Sequence, residues 1–378
     1  MVRTGGGVTV GSWPVGTPEW MPPTETERRL YEATARGDGD GQVAAIAGVD
    51  LYLAVPQQGQ EPLPVYDDPT AGGKCIPVLT RGMLPPWEPQ RFFDRVSIEE
   101  LAQDWPNDKW RLAINPGTPF AAYLPASPAH RAAWLRVRAQ VGVRPGGLLV
   151  THYAGPLHGP VAQGLACGAP LAVHHSVPWN ELGTAFLDYS EDAETLRAQW
   201  SVADPVSWQQ RFDQLLDGQF VPAETETALR ARATASGAES GGTSEDGSPA
   251  EAGDGAPTAV PELVDRYEER FRTDGLLPAD GRVVSLVALD LAHAVGLVRW
   301  GLGARLCAPP QAEQAVMRVA ARAQEVYGSW EEFAAGYALG RALAYDNGWF
   351  GPAYAETAHL HRVLTQDPAS PWRGLSFD

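Results

Sequence analysis

The sequence predicts an α+β chain, with a small α/β N-terminal domain followed by a mainly α-helical C-terminal domain. Three observations predict this. Up to about Ile114, short runs of β-branched and aromatic residues alternate with helix-capping signals, the pattern of a small α/β unit. From Asp204 onward, apolar residues recur at helical spacing instead. The helical part is interrupted by Ala233–Thr258, a small-residue, acidic stretch without one large apolar side chain. Such a stretch cannot bury enough surface to offset its chain entropy, so it is expected to be a disordered insertion. At 378 residues the chain is long enough for two ordinary domains.

The elements follow in order. Residues 1–22 are rich in Gly and Pro with no sustained period and are expected to be a tail. Thr24-Glu-Thr-Glu27 is a T-x-x-E capping box that should open a helix through Ala35. Val43–Gly48 and Asp50–Pro56 (DLYLAVP) read as strands, and so does Lys74–Thr80. Ser97-Ile-Glu-Glu100 is a second capping box, starting a helix to about Asp104. Arg111–Ile114 is a strand ended by Asn115-Pro116-Gly117, a turn whose glycine can take positive φ. Asp204-Pro205 supplies an N-cap with proline in the first helical turn; Trp208, Phe212 and Leu215 follow at helical spacing, and Asp217-Gly218 ends the helix. Helices resume near Pro261 and run to about Leu364. The expected domains are therefore 23–148 and 184–366, with 149–183 as connector, 233–258 as insertion and 367–378 as C-terminal tail.

A formal net charge of -17 argues against nucleic acid or an anionic membrane as partner, because both repel an acidic chain at long range. No run of 18 apolar residues is present to span a membrane, and residues 1–16 lack the apolar core of a secretory signal. Cys75, Cys167 and Cys307 lie far apart with no C-x-x-C spacing, which fits reduced, buried thiols. Together these predict a cytoplasmic protein.

Two stretches carry family resemblances. The DLYLAVP strand, Gly73–Thr80 and the Leu112–Pro119 run (LAINPGTP) make residues 26–140 resemble the SseB-type N-terminal domain. That resemblance implies an α/β domain used in varied bacterial settings and not tied to catalysis. Trp200-Ser-Val, Asp290, Arg299-Trp300-Gly301, Ser329-Trp-Glu-Glu-Phe333 and Gly336-Tyr-Ala-Leu-Gly-Arg341 make residues 184–366 resemble domain of unknown function 1266. Members of that family commonly carry Trp-Asp where this chain has Leu289-Asp290, and an arginine where it has His293.

The residues also constrain this half physically. Val283–Trp300 is apolar almost all round and should be a buried central helix. A buried Asp290 needs a partner, with His293, Arg299 and Arg341 as candidates. Ser329–Glu332 is a capping box, and Gly336 and Gly340, four apart on one helical face, should admit a neighbouring backbone.

The densest polar cluster is Thr151–Glu181, with His152, His158, His174, His175, Cys167, Trp179, Asn180 and Glu181. Imidazoles with a carboxylate could serve a hydrolase or bind Zn²⁺, but the metal-site spacings H-E-x-x-H and paired cysteines are missing. There is also no G-x-S-x-G elbow and no Walker A loop, so no cofactor, metal ligand or catalytic residue is assigned. Thirteen tryptophans, several in Pro-rich loops such as Trp179 and Trp372, favour either interface anchoring or loop pinning. The candidate binding residues are Asp290, His293, Arg299, Trp300, Trp330, Arg341, His174, His175 and Trp179. The expected function is non-catalytic protein–protein interaction: an accessory, adaptor or immunity-like protein with a protein partner. The alternatives are a hydrolase-like enzyme using His152–Glu181 and a structural subunit of a larger assembly.

Overall fold

The computed structural model describes residues 22–56, 64–142, 146–152, 155–183, 188–238 and 260–378. It forms two compact units, one of residues 1–144 with 187–191, the other of residues 145–186 with 192–378. All but the last residue of the expected 1–22 tail, and all but the N-terminal part of the expected insertion, lie outside the described residues.

The first unit opens with α1 (Glu25–Ala35), whose N-cap Thr24 accepts from the Thr26 amide. The capping box is only half used. Glu27 is fully buried, and instead of reaching back to the cap amide it accepts from the hydroxyls of Thr24 and Thr80 and from the Gly82 amide. Next comes α2 (Gly39–Ile46), capped by Asp38 on the Gly41 amide. This corrects the strand expected over Val43–Gly48: the cap commits the segment to helix, and Val43 and Ile46 then meet the core from one helical face.

The strands are β1 (Leu51–Val55), β2 (Tyr66–Asp68), β3 (Gly73–Thr80), β4 (Phe92–Val96), β5 (Arg111–Ile114) and β6 (Ala122–Pro125). They form one mixed sheet in the order β4-β1-β3-β5-β6, with β2 also paired to β3. Only β3 and β5 run parallel, with Ile76 beside Leu112 and Val78 beside Ile114. Helices α3 (Ile98–Gln103), started by the predicted Ser97–Glu100 box, and α4 (Pro128–Val141) complete the unit. Leu30, Ile46, Leu51, Leu53, Ile76, Val78, Ile98, Leu112, Ile114 and Trp134 share one core. At the predicted turn Gly117 has φ 75°, and Asn115, also at positive φ, is buried and accepts from the Thr80 amide at 2.8 Å.

The second unit is helical: α5 (Gly159–Cys167), α6 (Ala169–His174), α7 (Tyr189–Trp200, whose first residues belong to the first unit), α8 (Pro205–Leu216), α9 (Ala223–Ala238), α10 (Val260–Asp274), α11 (Val287–Gly303), α12 (Pro309–Val326), α13 (Trp330–Tyr345), α14 (Pro352–Gln366) and α15 (Pro371–Gly374). Residues 149–183, read as a connector, carry α5 and α6, and the first six residues of the expected insertion belong to α9. As predicted, α11 is the buried centre, although it begins at Val287 rather than Val283. Helices α8, α12 and α13 pack on it. A Cβ at Gly336 would meet the Ser285 carbonyl at 2.5 Å, and one at Gly340 would meet Leu289 at 3.0 Å, so the glycine pair of α13 does admit a neighbour closely. Ser329 caps α13 through the Glu332 amide, but Glu332 reaches back one residue further than expected, to the Gly328 amide. All three cysteines are free and buried, and among the described residues no helix is long and apolar enough to cross a membrane.

Candidate functional site

Five of the nine candidate residues gather at one place in the second unit, where α6, α13 and α14 meet, with α11 beneath. Position 174 is the last residue of α6, and the imidazole Nδ1 of His174 lies 2.6 Å from Glu356 Oε1 on α14. Arg341 of α13 donates to the other Glu356 oxygen, also at 2.6 Å. One carboxylate therefore joins a histidine and an arginine brought from three helices. Burial would raise the Glu356 carboxyl, but Arg341 and then His174 outweigh it and hold it below the usual carboxylate range. Arg341 also stands over the Tyr345 ring, 5.3 Å from its centroid.

His293, half-buried on α11, is close enough to Arg341 for the guanidinium to act on it. Burial first, and then Arg341, pushes its imidazole down to about 4, so it is neutral at physiological pH. Its ring packs 5.5 Å from Trp200 at the end of α7, and Trp200 in turn lies 6.3 Å from Trp300. His175 is exposed and meets His174 edge-on at 4.6 Å. Thus His174, His175, His293, Trp300 and Arg341 do gather, linked by Glu356 and Trp200.

The remaining candidates lie in separate structural roles. None of the three expected cations pairs with Asp290. Its carboxylate accepts from the Phe220 and Val221 amides at 2.9 and 3.3 Å, tying the loop between α8 and α9 to α11. Burial outweighs those two bonds and pushes the Asp290 carboxyl up to about 6. The physical reason is supply: the loop offers two backbone amides at the helix surface, and a buried carboxylate accepts them without a second charge. Arg299 is fully buried and donates to the Trp179 carbonyl at 2.6 Å, fixing the 178–180 segment to α11.

Several residues of the His152–Glu181 cluster form a clip between two segments. Val150 bridges Pro178, Trp179 donates through its backbone to Val150 and through Nε1 to Thr151, and Asn180 exchanges two hydrogen bonds with the His152 backbone. His158 precedes α5 as its N-cap residue without a side-chain capping bond. Among the described residues no group of three or more His, Cys, Asp or Glu is placed to hold a metal ion. Trp330 is buried; it stacks on Trp372 at 5.7 Å and donates to the Leu375 carbonyl, so the C-terminal tryptophan is pinned to its own unit.

Two features escaped the sequence reading. Glu356 sits in an ordinary amphipathic helix, and nothing in its spacing marks it as the acceptor for both His174 and Arg341. The second is the turn Asp346–Gly351. Buried Asp346 accepts from the Tyr267 hydroxyl and from the Phe350 and Gly351 amides at 2.6–2.8 Å. Tyr267 also accepts from the Gly348 amide, and Arg266 donates to the Gly348 carbonyl. This held loop leaves Trp349 85% exposed, with Tyr345 59% exposed one turn earlier. The Asn347-Gly348 pair, both at positive φ, was its legible signal.

The site so described is a buried-carboxylate helical bundle with an imidazole–carboxylate–guanidinium link on its surface. Residues 195–377 match the family described as "Protein of unknown function (DUF1266)", so a domain of that family makes up most of the second unit. No curated protein and no solved structure matches the chain.

Proposed function

We propose that the protein works by binding another protein without catalysing a reaction, as an accessory, adaptor or immunity-like component of the bacterial cytoplasm. One observation carries the reading: Trp349, almost wholly exposed on a loop held by five hydrogen bonds. An exposed indole buries a large area on contact, and a loop already fixed gives up little further entropy when it binds. The net charge of -17 supports a protein partner over nucleic acid, and the SseB-type resemblance of residues 26–140 supports the same class. The test is to recover the tagged protein from its host and identify a stoichiometric partner, then repeat with Trp349→Ala. The expected result is at least about a tenfold loss of partner affinity with an unchanged melting temperature. Recovery of no partner, or of one indifferent to the substitution, overturns the proposal.

A second reading has its own observation. The His174–Glu356 pair is the geometry that fixes an imidazole tautomer for general-base work, since a carboxylate on Nδ1 leaves Nε2 as the base. On this reading the protein is a hydrolase-like enzyme with Glu356, not Glu181, as the orienting acid. His174→Gln and Glu356→Gln should each lower any hydrolytic turnover at least about a hundredfold. Turnover unaffected by both removes the reading.

A further inference from the structure

A cavity of about 250 Å³ opens in the second unit between the first turn of α13, the last turn of α14 and α15, lined by Trp330, Glu331, Thr365, Trp372 and Arg373. Among its lining residues Trp330 and Trp372 stack on one another, and their two indole N–H groups are already used on the carbonyls of Leu375 and Ala166. The indoles therefore offer shape and not donors. The chemistry comes from the three other residues.

Glu331 and Arg373 are exposed, carry opposite charges and face one cavity, yet among the described residues neither makes an ion pair with the other or with any third group. Two opposite charges that line one cavity without pairing are set for a ligand that carries both. Arg373 donates once to the Thr365 carbonyl, which steadies it while leaving further guanidinium N–H groups for a carboxylate. The Thr365 hydroxyl donates to the His361 carbonyl at 2.8 Å, so toward the cavity it presents acceptor lone pairs. Glu331 and Thr365 are thus acceptors for an ammonium, and Arg373 is a donor for a carboxylate.

We propose that this cavity binds a small free α-amino acid as a zwitterion, its ammonium on Glu331 and Thr365 and its carboxylate on Arg373, with the side chain toward the indole wall. The volume suits one amino acid with a few waters, and the largely polar lining favours a small polar side chain over a bulky apolar one. This site is separate from the Trp349 loop and does not depend on the partner reading.

The test is calorimetric titration of the full chain with L-serine, N-acetyl-L-serine and L-serinamide, with tryptophan emission as a second readout. L-serine should bind saturably and shift the emission. The N-acetyl compound, which lacks the ammonium, and the amide, which lacks the carboxylate, should each bind at least about tenfold more weakly. Glu331→Gln should erase the preference over N-acetyl-L-serine, and Arg373→Gln the preference over L-serinamide. Both side chains are exposed, so both variants should keep the wild-type melting temperature. No saturable binding up to about 10 mM, equal binding of all three compounds, or variants that keep the wild-type preferences would overturn the proposal.

Discussion

In the first unit, buried Glu27 accepts from two threonine hydroxyls and one amide, linking α1 to the end of β3. Buried Asp68 of the same unit accepts from the Thr70 and Ala71 amides, and in the second unit four buried carboxylates do that loop-holding task. Asp290 holds the 220–221 amides, Glu226 the Leu286 amide and Ser285 hydroxyl, Glu268 the Val283 amide, and Asp346 the amides of 350–351. The difference follows from the architecture. A sheet satisfies most of its backbone through its own ladder, so fewer loop amides need a carboxylate and one such as Glu27 is left to join elements. In a helical bundle the connecting loops have no ladder, and their inward amides must find side-chain acceptors. Carboxylates take that place, and some of their negative charge is offset by arginines: Arg230 on Glu226, and Arg232 and Arg272 on Glu268.

The comparison can be broken most severely at the helix contact that the glycines permit. Gly336→Val would drive a side chain into the Ser285 carbonyl and the Tyr327 hydroxyl, beside the Glu226 cap. It should cost about 3 kcal/mol or more and lower the melting temperature of the second unit. A variant that melts like the wild type would mean that α13 does not lie this close.

A paired truncation sharpens the comparison. Glu226→Ala leaves the Leu286 amide and the Ser285 hydroxyl buried without their acceptor and should cost roughly 3 kcal/mol, visible in chemical denaturation. Glu27→Ala should cost less, roughly 1–2 kcal/mol, because the two threonine hydroxyls can rotate to other acceptors. The reverse order would remove the distinction between the units.

A further effect is one of pH. The Asp290 carboxyl is raised from 3.8 to about 6 in the fold. The native state therefore holds a proton that the unfolded chain releases earlier, and the stability from this group is full below pH 4 and lost as pH rises through 6. Asp290→Asn lacks that slope. Relative to wild type, the variant should gain roughly 2–3 kcal/mol between pH 4 and pH 7, read from denaturation midpoints at the two values. A pH-independent difference would show that Asp290 titrates normally. Taking the difference between variant and wild type cancels the opposite slope from His293 and His361, whose imidazoles are both pushed down to about 4 by burial.

Much of this molecule was legible as local signals. The Ser97 and Ser329 caps, the Asp204-Pro205 start, the β1, β3 and β5 runs, the Gly117 turn and the largely buried α11 all follow from side chains acting on their own backbone or from a period that only one element can satisfy. Where a local signal competed with another, it misled. Val43–Gly48 has strand-like side chains, but the Asp38 cap nearby starts a helix instead.

The sequence by itself determined the α+β class, the helical second half and the presence of buried charge on α11, because each depends on residues within a few positions of one another. Only the tertiary structure decided the partners of those charges: Asp290 with loop amides, Arg299 with the Trp179 carbonyl, and Arg341 with a Glu356 that nothing local singles out. A buried charge specifies that it must be satisfied but not by what. The acceptor or donor comes from whichever distant segment the packing of the helices brings within hydrogen-bond reach.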